Sequence, residues 1–418
     1  MTASAPDVLV IGGGVIGLSC ALALARGGRS VTVLERGAVG AGASHGNCGT
    51  ITPSHALPLA QPGVIAQGLR WLLRPDAPLR IAPTLDPARI AWIARFALNC
   101  THAQVARVAP AKAALLNRSR DLIEAFIRDE GIACEFGHAG ELQVFRTQRA
   151  LDAASVELDV LRAHGVQVEH WAGTRVEREE PALKPGVAGG LYWPNDAHIR
   201  PDRYVAELAA RTRAAGVTIR EQTAVTGFDR SGDRIDAVHA TGERIAAREV
   251  VLAGGAWSPL IARDLGLRLP IQPGKGYSIT YSRPQRAPQR PLMLAEPRVC
   301  VTTWDSGFRL GSTMEFAGYD DTLNRVRLDA LVRGASEFLH QPIGSECVEE
   351  WWGWRPMTTD DLPIIGASTR VQGLWLATGH GMLGMSMSNA TAELLAAQML
   401  GNETAIDARP YRPARLAL

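Results

Sequence analysis

Near its start the chain carries an unbroken apolar run, "VLVI" at 8–11, followed by three glycines and then apolar residues at helical spacing from Val15 to Arg26. A short apolar run bounded by turn residues predicts a buried strand, and the later spacing predicts a helix. "GG" at 27–28 ends that helix and "SVTVLE" forms the next strand, so residues 7–35 read as a βαβ unit. A loop dense in small residues follows, "GAVGAGASHGNCGTITPSH" at 37–55. Residues 62–98 read as mostly helical, with an apolar face from Ile90, Ile93, Ala94 and Ala97. Trp71, Trp92 and Phe96 read as core or inter-domain packing. Amphipathic helices are predicted over 112–130 and 149–164, with an alternating strand, "GELQVFRT", between them. Pro201 and Gly216 bracket another helix. Short strands then fill 218–240 and 248–258, and 274–320 reads as an antiparallel meander. A helix spans Arg325 to Leu339. "GLWLATGHG" is a last strand running into a glycine-rich turn and a helix from Met385 to Met399.

Strand–helix signals of one nucleotide-binding type stand at both ends of the chain, so the domains are expected to interleave. A length of 418 residues suits two domains. A net charge of +2 without a basic run argues against nucleic acid. Six cysteines without a C-x-x-C pair argue against structural zinc and a disulfide framework, so no metal is expected and reduced cytosolic thiols are the simplest reading. "VLVIGGGVIGLSCALALA" is about long enough to span a bilayer, but its glycines divide it into strand and helix. The preceding "MTASAPD" lacks the basic residues of a signal peptide. No other stretch reads as a transmembrane helix.

The candidate chemistry begins with Gly12, Gly14 and Gly17, a G-x-G-x-x-G turn placed between a strand and a helix. Such a turn permits close approach to a pyrophosphate. Glu35, 18 residues past Gly17 at the end of the next strand, supplies the carboxylate that accepts from ribose hydroxyls. The loop at 40–49 favours FAD over NAD, because a flavin needs backbone approach beyond the pyrophosphate. "VVLAGGAWS" and the late "TGHGMLG" are two further glycine-rich strand ends. Three such ends suit a long ligand stretched across a sheet.

The N-terminal "VLVIGGGVIGLSCALALARGG" and "VTVLER" resemble the FAD-dependent amino-acid oxidoreductases of the D-amino-acid oxidase and glycine oxidase superfamily. "GNCGTITPSHALPLAQPGV", "KGYSITYS", "RLGSTMEFAGYD", "GWRPMTTDDLPIIG" and "LWLATGHGMLGMSMS" resemble, more narrowly, the bacterial D-amino acid dehydrogenase small-subunit branch and its D-proline and D-hydroxyproline relatives. The resemblance runs from about residue 7 to about 400. It implies an α/β fold: a Rossmann-like FAD domain from 1–60, 185–270 and 350–418, interleaved with an α+β substrate domain from 61–184 and 271–349 that contains an antiparallel sheet.

The implied chemistry is hydride transfer from the substrate Cα–H to flavin N5. The imine then hydrolyses to a 2-oxo acid or persists as a ring imine. The electron acceptor is a quinone, another carrier or oxygen. Two other readings stand beside this one: a glycine- or sarcosine-type oxidase, and a non-catalytic FAD-holding subunit of an electron-transfer complex. Cytoplasmic location is expected, with peripheral attachment at the inner membrane and the oligomeric state left open.

The resemblance also assigns residues. Arg355 either clamps the substrate carboxylate, as a planar bidentate donor can, or pairs with Asp360 or Asp361. Gly379, Gly381, Leu383 and Gly384 open the last helix toward the flavin N1–C2=O edge, and His380 either orients that loop or merely packs there. Lys275 either contacts the flavin or a water near N5, or is an ordinary strand-end lysine; Tyr277 shares its strand. His45 and Asn47 either reach the ring or substrate, or stand exposed. Further cofactor contacts are carried over to Gly13, Val15, Ile16, Arg36, Ser44, Gly49, Val225, Gly254 and Gly255. Some sarcosine-oxidase relatives link flavin through a cysteine in another region, so FAD is expected to be noncovalent despite Cys48. Those relatives carry a lysine where this chain has Gly384. "EEWWGW" at 349–354 reads as core and pocket-wall packing, and Asp360–Asp361 as a solvated turn.

Overall fold

A computed structural model describes residues 6–72, 77–156 and 158–416. The continuous apolar runs become a six-stranded sheet. Its order is Ile364–Ala367, Leu374–Thr378, Glu249–Leu252, Val8–Ile11, Val31–Leu34, Thr218–Arg220. All pairings are parallel except that of the outermost Ile364–Ala367. Strands of a parallel sheet are covered on both faces, and Val8–Ile11 is buried at every residue. The helix Val15–Arg26 packs on the C-terminal helix Gly384–Leu400, so the two ends of the chain close one core.

The alternating strands form a nine-stranded, mainly antiparallel sheet. Cys347–Thr358, Ile271–Tyr281, Gly307–Phe316, Val299–Trp304 and Leu292–Leu294 run side by side, Glu141–Phe145, Gly189–Trp193 and Glu169–Ala172 extend it, and Leu79–Ile81 pairs with Gly307–Phe316 as the ninth. The helix Arg325–Phe338 covers one face through Leu328, Leu331 and Phe338. The other face meets the loop at 44–49.

The structure redraws several expected elements. Residues 274–320 are not a simple meander: Ile271–Tyr281 pairs with Gly307–Phe316 and with Cys347–Thr358, both antiparallel. Gly189–Trp193 and Cys347–Thr358 from residue 350 onward fall in segments assigned to the FAD domain, yet they hydrogen-bond within the larger sheet. The expected 112–130 helix begins earlier, at His102, where the Thr101 hydroxyl accepts from the Gln104 N–H. It packs Val108, Leu115 and Leu116 into the core of the smaller sheet, although it comes from a segment assigned to the substrate domain. The expected 149–164 helix is two, Gln148–Ser155 and Leu158–Ala163, and residue 157 lies outside the described residues. Within 62–98, a strand Leu79–Ile81 separates Val64–Leu72 from Pro87–Asn99, and residues 73–76 lie outside the described residues. The buried face of Pro87–Asn99 is Arg89 and Trp92 rather than the face of Ile90, which is 50% exposed. The reason is aromatic: Trp92 stacks on Phe96 and packs against Phe316. Trp71 is half-buried.

Among the described residues no helix is long and apolar enough to cross a membrane; the first is 12 residues long.

Asp360 and Asp361 are not solvated. The Lys112 ammonium lies 2.5 Å from the Asp361 carboxylate, with both side chains under 9% exposed. Arg415 binds Asp360 at 2.8 Å. These pairs tie the long helix and the C-terminal tail to the turn before Ile364. Removing one partner leaves a buried charge uncompensated. Asp361→Ala should therefore cost about 3–5 kcal/mol in urea unfolding of the FAD-loaded protein. A loss under about 1 kcal/mol, the scale of an exposed pair, would show that Lys112 readily finds water.

Candidate active site

One cavity of about 970 Å³ runs between the two sheets, at the upper end for a small-molecule site. Three glycine-rich strand ends meet at it.

At one end is the first turn. Gly12 has φ of 115°, and a Cβ there would fall 2.5 Å from the Ala253 carbonyl oxygen. A Cβ on Gly17 would fall 1.9 Å from the Gly12 carbonyl oxygen, so only glycine permits this crossing. Gly14 starts the helix without a side-chain cap of its own; the Val15 N–H donates to the Ser44 hydroxyl. Glu35 accepts from the Gly13 N–H at 2.7 Å and the Gly37 N–H at 2.9 Å, bracing the turn while lining the cavity. The Arg36 guanidinium lies 3.8 Å over the Trp257 ring. Val225, Gly254 and Gly255 line the same end.

At the other end is the late turn. The Gly381 N–H donates to the Pro356 carbonyl, tying the turn to the strand that carries Arg355. His380 is 5% exposed and pairs through Nε2 with the Thr391 hydroxyl at 3.0 Å. Burial holds its pKa down to about 3, so it is neutral and acts as a strut between loop and helix. The helix from Gly384 starts with no side-chain cap, and Leu383, Gly384 and Met385 line the cavity. Its unsatisfied N–H groups and positive dipole end lie at the cavity wall.

The loop at 44–49 forms the third wall and is pinned by the larger sheet. Arg309, 1% exposed, donates to the carbonyls of His45 and Asn47 and to the Thr280 hydroxyl. The Ser278 hydroxyl donates to the Gly46 carbonyl, and Thr302 to that of Cys48. Asn47 folds back on the loop, donating to the Ser44 carbonyl and accepting from the Gly49 N–H.

Arg355 lies on the same sheet face. Gly274, Gly276 and Ser278 alternate with Lys275 and Tyr277 along their strand, and the guanidinium crosses over Gly276, where a Cβ would fall 2.2 Å from its central carbon. Its Nη1 donates to the Thr313 carbonyl at 2.6 Å and its Nη2 to the Ser312 carbonyl at 3.4 Å. Ser312 and Thr313 have φ of 121° and 52° beside a register irregularity, so the two carbonyls are turned inward at a backbone cost of order 1–3 kcal/mol each. Among the described residues no carboxylate lies within 4 Å of Arg355: Asp360 is held by Arg415 and Asp361 by Lys112. Desolvation lowers the Arg355 pKa from its ordinary value.

Other expected residues stand elsewhere. Lys275 is 1% exposed on the opposite sheet face and donates to the carbonyls of Asp320 and Thr322; it does not line the cavity. Tyr277 packs with Phe308 and Leu310 and turns its hydroxyl to Glu315, although the residue borders the cavity. His45 turns away to the Glu349 carboxylate at 2.7 Å. Gly13, Gly17 and Gly379 stand behind the lining. Trp351 walls the cavity on the Arg355 face, whereas Trp352 and Trp354 border it while projecting on the face of Lys275 and Tyr277, with Trp354 edge-on to Trp257 and Tyr319.

Sequence reading missed Arg309, the carbonyls of Ser312 and Thr313, and Cys300. Arg309 carried a signal, a charge at an inward position of an alternating strand, whereas the bulge carried none. Among the described residues no three His, Cys, Asp or Glu side chains gather where a metal could be held.

The family described as FAD dependent oxidoreductase matches residues 7–398. A D-amino acid dehydrogenase of Agrobacterium fabrum is 36% identical over 417 residues, covering 98% of this chain and all of that one. One of Methylobacterium radiotolerans is 37% identical, covering 93% and 94%. Among solved structures, glycine oxidase from Geobacillus kaustophilus aligns with a TM-score of 0.78 at 23% identity, covering 97% of this chain and 98% of that one. L-proline dehydrogenase from P. horikoshii aligns at 0.74 and 20%, covering 98% and 97%. At these identities the two structures establish the fold alone. The glycine cradles, the cavity volume and the two helix N-termini fit the cofactor of this family.

The His45–Glu349 pair gives a pH prediction. The hydrogen bond to Glu349 raises the His45 pKa above 6.5 and the reciprocal bond lowers that of Glu349 below 4.5. The histidine's contribution is full below its unfolded pKa and is lost as pH rises through the raised folded value. The glutamate's is full above 4.5 and is lost as pH falls through its lowered folded value. The melting-temperature penalty of His45→Gln should therefore peak between about pH 5 and 6 and shrink by about pH 8. A penalty independent of pH would mean that no charge pairs there.

Proposed function

This chain belongs to the FAD dependent oxidoreductase family, and from that premise we propose that it oxidises the Cα–N bond of D-amino acids as a dehydrogenase. The product is an imine, which water converts to a 2-oxo acid, or a ring imine when the amine is part of a proline-like ring. The observation that carries the reading is Arg355: a guanidinium bordering the cavity, held by two backbone carbonyls and the Met314 sulfur, and paired with no carboxylate among the described residues. Its free donor edge suits a substrate carboxylate.

FAD, held noncovalently, supplies the two-electron acceptor for the Cα hydride. The chain does the rest. Gly14 and Ile16 would offer backbone N–H groups to the pyrophosphate, beside a wall formed by Gly12 and Val15, whose own N–H groups go to Leu34 and Ser44, and Glu35 would meet the ribose. The helix from Gly384, whose uncapped start lines the cavity, would supply positive potential to the reduced ring. Arg309 keeps the loop at 44–49 in place, so that Arg355 orients the substrate against a fixed wall. The aromatic wall from Trp351, Trp352 and Trp354 excludes water. The FAD unit is discontinuous and gathers strands from both ends of the chain.

The D preference draws support from the names of the 36–37% identical relatives. Their description as dehydrogenases favours a quinone or another carrier over oxygen. Six free cysteines suit the cytoplasm.

Arg355→Met should retain FAD by its absorption spectrum yet raise KM about 100-fold, the scale of losing a charge-assisted bidentate contact. An unchanged KM removes Arg355 from substrate binding. With an artificial acceptor, D-amino acids including D-proline and hydroxy-D-proline should bleach the flavin while their L-enantiomers leave it oxidised. Bleaching by L-enantiomers alone overturns the stereochemistry.

A further inference from the structure

Two sulfurs in the cavity wall take no part in the chemistry above. Cys48, on the loop at 44–49, and Cys300, on the strand Val299–Trp304, both line the cavity, and both are free thiols. They meet for a geometric reason. Cys300 stands directly across the sheet from Gly311, which puts its Cβ about 4.5–5.5 Å from where a Cβ of residue 311 would be. Gly311 has none, and the Cys48 sulfur takes the space: a Cβ built on Gly311 would fall 2.5 Å from it. The Cys48 backbone is fixed there by the Thr302 hydroxyl, two residues along from Cys300 on the same strand. A thiol from the loop and a thiol from the sheet thus converge above one glycine.

The two thiols differ in character. The Cys300 thiol donates to the Cys48 sulfur, and the Arg355 and Arg309 guanidiniums add positive potential, so Cys48 is held below the ordinary thiol range. Cys300 keeps its proton in that bond and is held well above the range. A thiol that ionises more readily beside one that keeps its proton is the pairing that suits attacking and resolving groups in thiol–disulfide exchange. Cys20 and Cys134 lie buried in two other core clusters, while Cys100 is part-buried and Cys347 exposed.

We propose that Cys48 and Cys300 are a modification site, which small disulfides convert into an internal Cys48–Cys300 bond that reversibly blocks the substrate end of the cavity. In the first step the Cys48 thiolate attacks one sulfur of RSSR. The S–S bond breaks, and the departing thiolate takes up the proton that Cys48 had released. In the second step Cys300 attacks the Cys48 sulfur of the mixed disulfide and expels the second RS⁻, which takes the Cys300 proton. The protein dithiol loses two electrons and two protons, and RSSR becomes two RSH. The new bond draws the loop onto the sheet beside Arg355.

The test uses the FAD-loaded protein incubated with glutathione disulfide and then digested by trypsin without reduction. Fragment 37–70 should be joined to fragment 299–309, each carrying one cysteine. Turnover should fall by about 100-fold, the cost of a displacement near 1 Å at a reacting centre, and return with dithiothreitol. Cys48→Ser and Cys300→Ser, each measured against its own untreated turnover, should resist the oxidant. Glutathione found only on Cys347, or a joined fragment pair with turnover unchanged, overturns the proposal. The fragment map needs no substrate, so a failure of the D-amino-acid reading would not be mistaken for a failure here.

Discussion

A part-buried guanidinium held by backbone carbonyls, with no carboxylate among the described residues to neutralise it, is the interaction around which this molecule is arranged. Arg355 sits on Cys347–Thr358, crosses Gly276 on the next strand, and meets the carbonyls of Ser312 and Thr313 on the strand beyond. The two acidic residues that follow it in the chain, Asp360 and Asp361, are removed from competition by Arg415 and Lys112. Each of these arrangements costs something: desolvation of a charge, two residues in left-handed backbone, two buried ion pairs. Together they keep one cation free to receive an anion from outside.

The second constraint is how two sheets share one cavity. The smaller sheet supplies glycine turns and helix N-termini, and the larger supplies side chains. They are joined through the loop at 44–49, whose carbonyls are gripped by Arg309, Ser278 and Thr302. The loop lies between the first turn and the sheet that bears Arg355, so on the proposed function the same hydrogen bonds would position cofactor and substrate. The C-terminal helix closes the arrangement, with its first turn at the cavity and its body against the first helix.

Much of this was legible in the residues. The βαβ unit, Glu35 and the late turn at Gly379–Gly384 follow from apolar runs broken by glycine, because those patterns reflect local backbone demands. Arg355 was legible as a candidate through its motif, but not its freedom from Asp360 and Asp361, since adjacency in sequence says nothing about which cation each acid meets. Lys275 and Tyr277 were misjudged by the pleat: they share a strand with Gly276 but face the other side, toward Glu315 and the Asp320 carbonyl. The helix His102–Glu130 joined the smaller sheet's core because its apolar stripe fits the C-terminal helix, a tertiary match that periodicity alone cannot assign.

The central claim is that Arg355 waits for a carboxylate. The most direct measurement is a spectral titration of the FAD-loaded protein with a non-oxidisable aromatic carboxylate and with its neutral primary amide. The carboxylate should perturb the flavin band and bind about 10–100-fold more tightly than the amide, as a hydrogen-bonded charge pair requires. Equal affinity for the two would contradict the account.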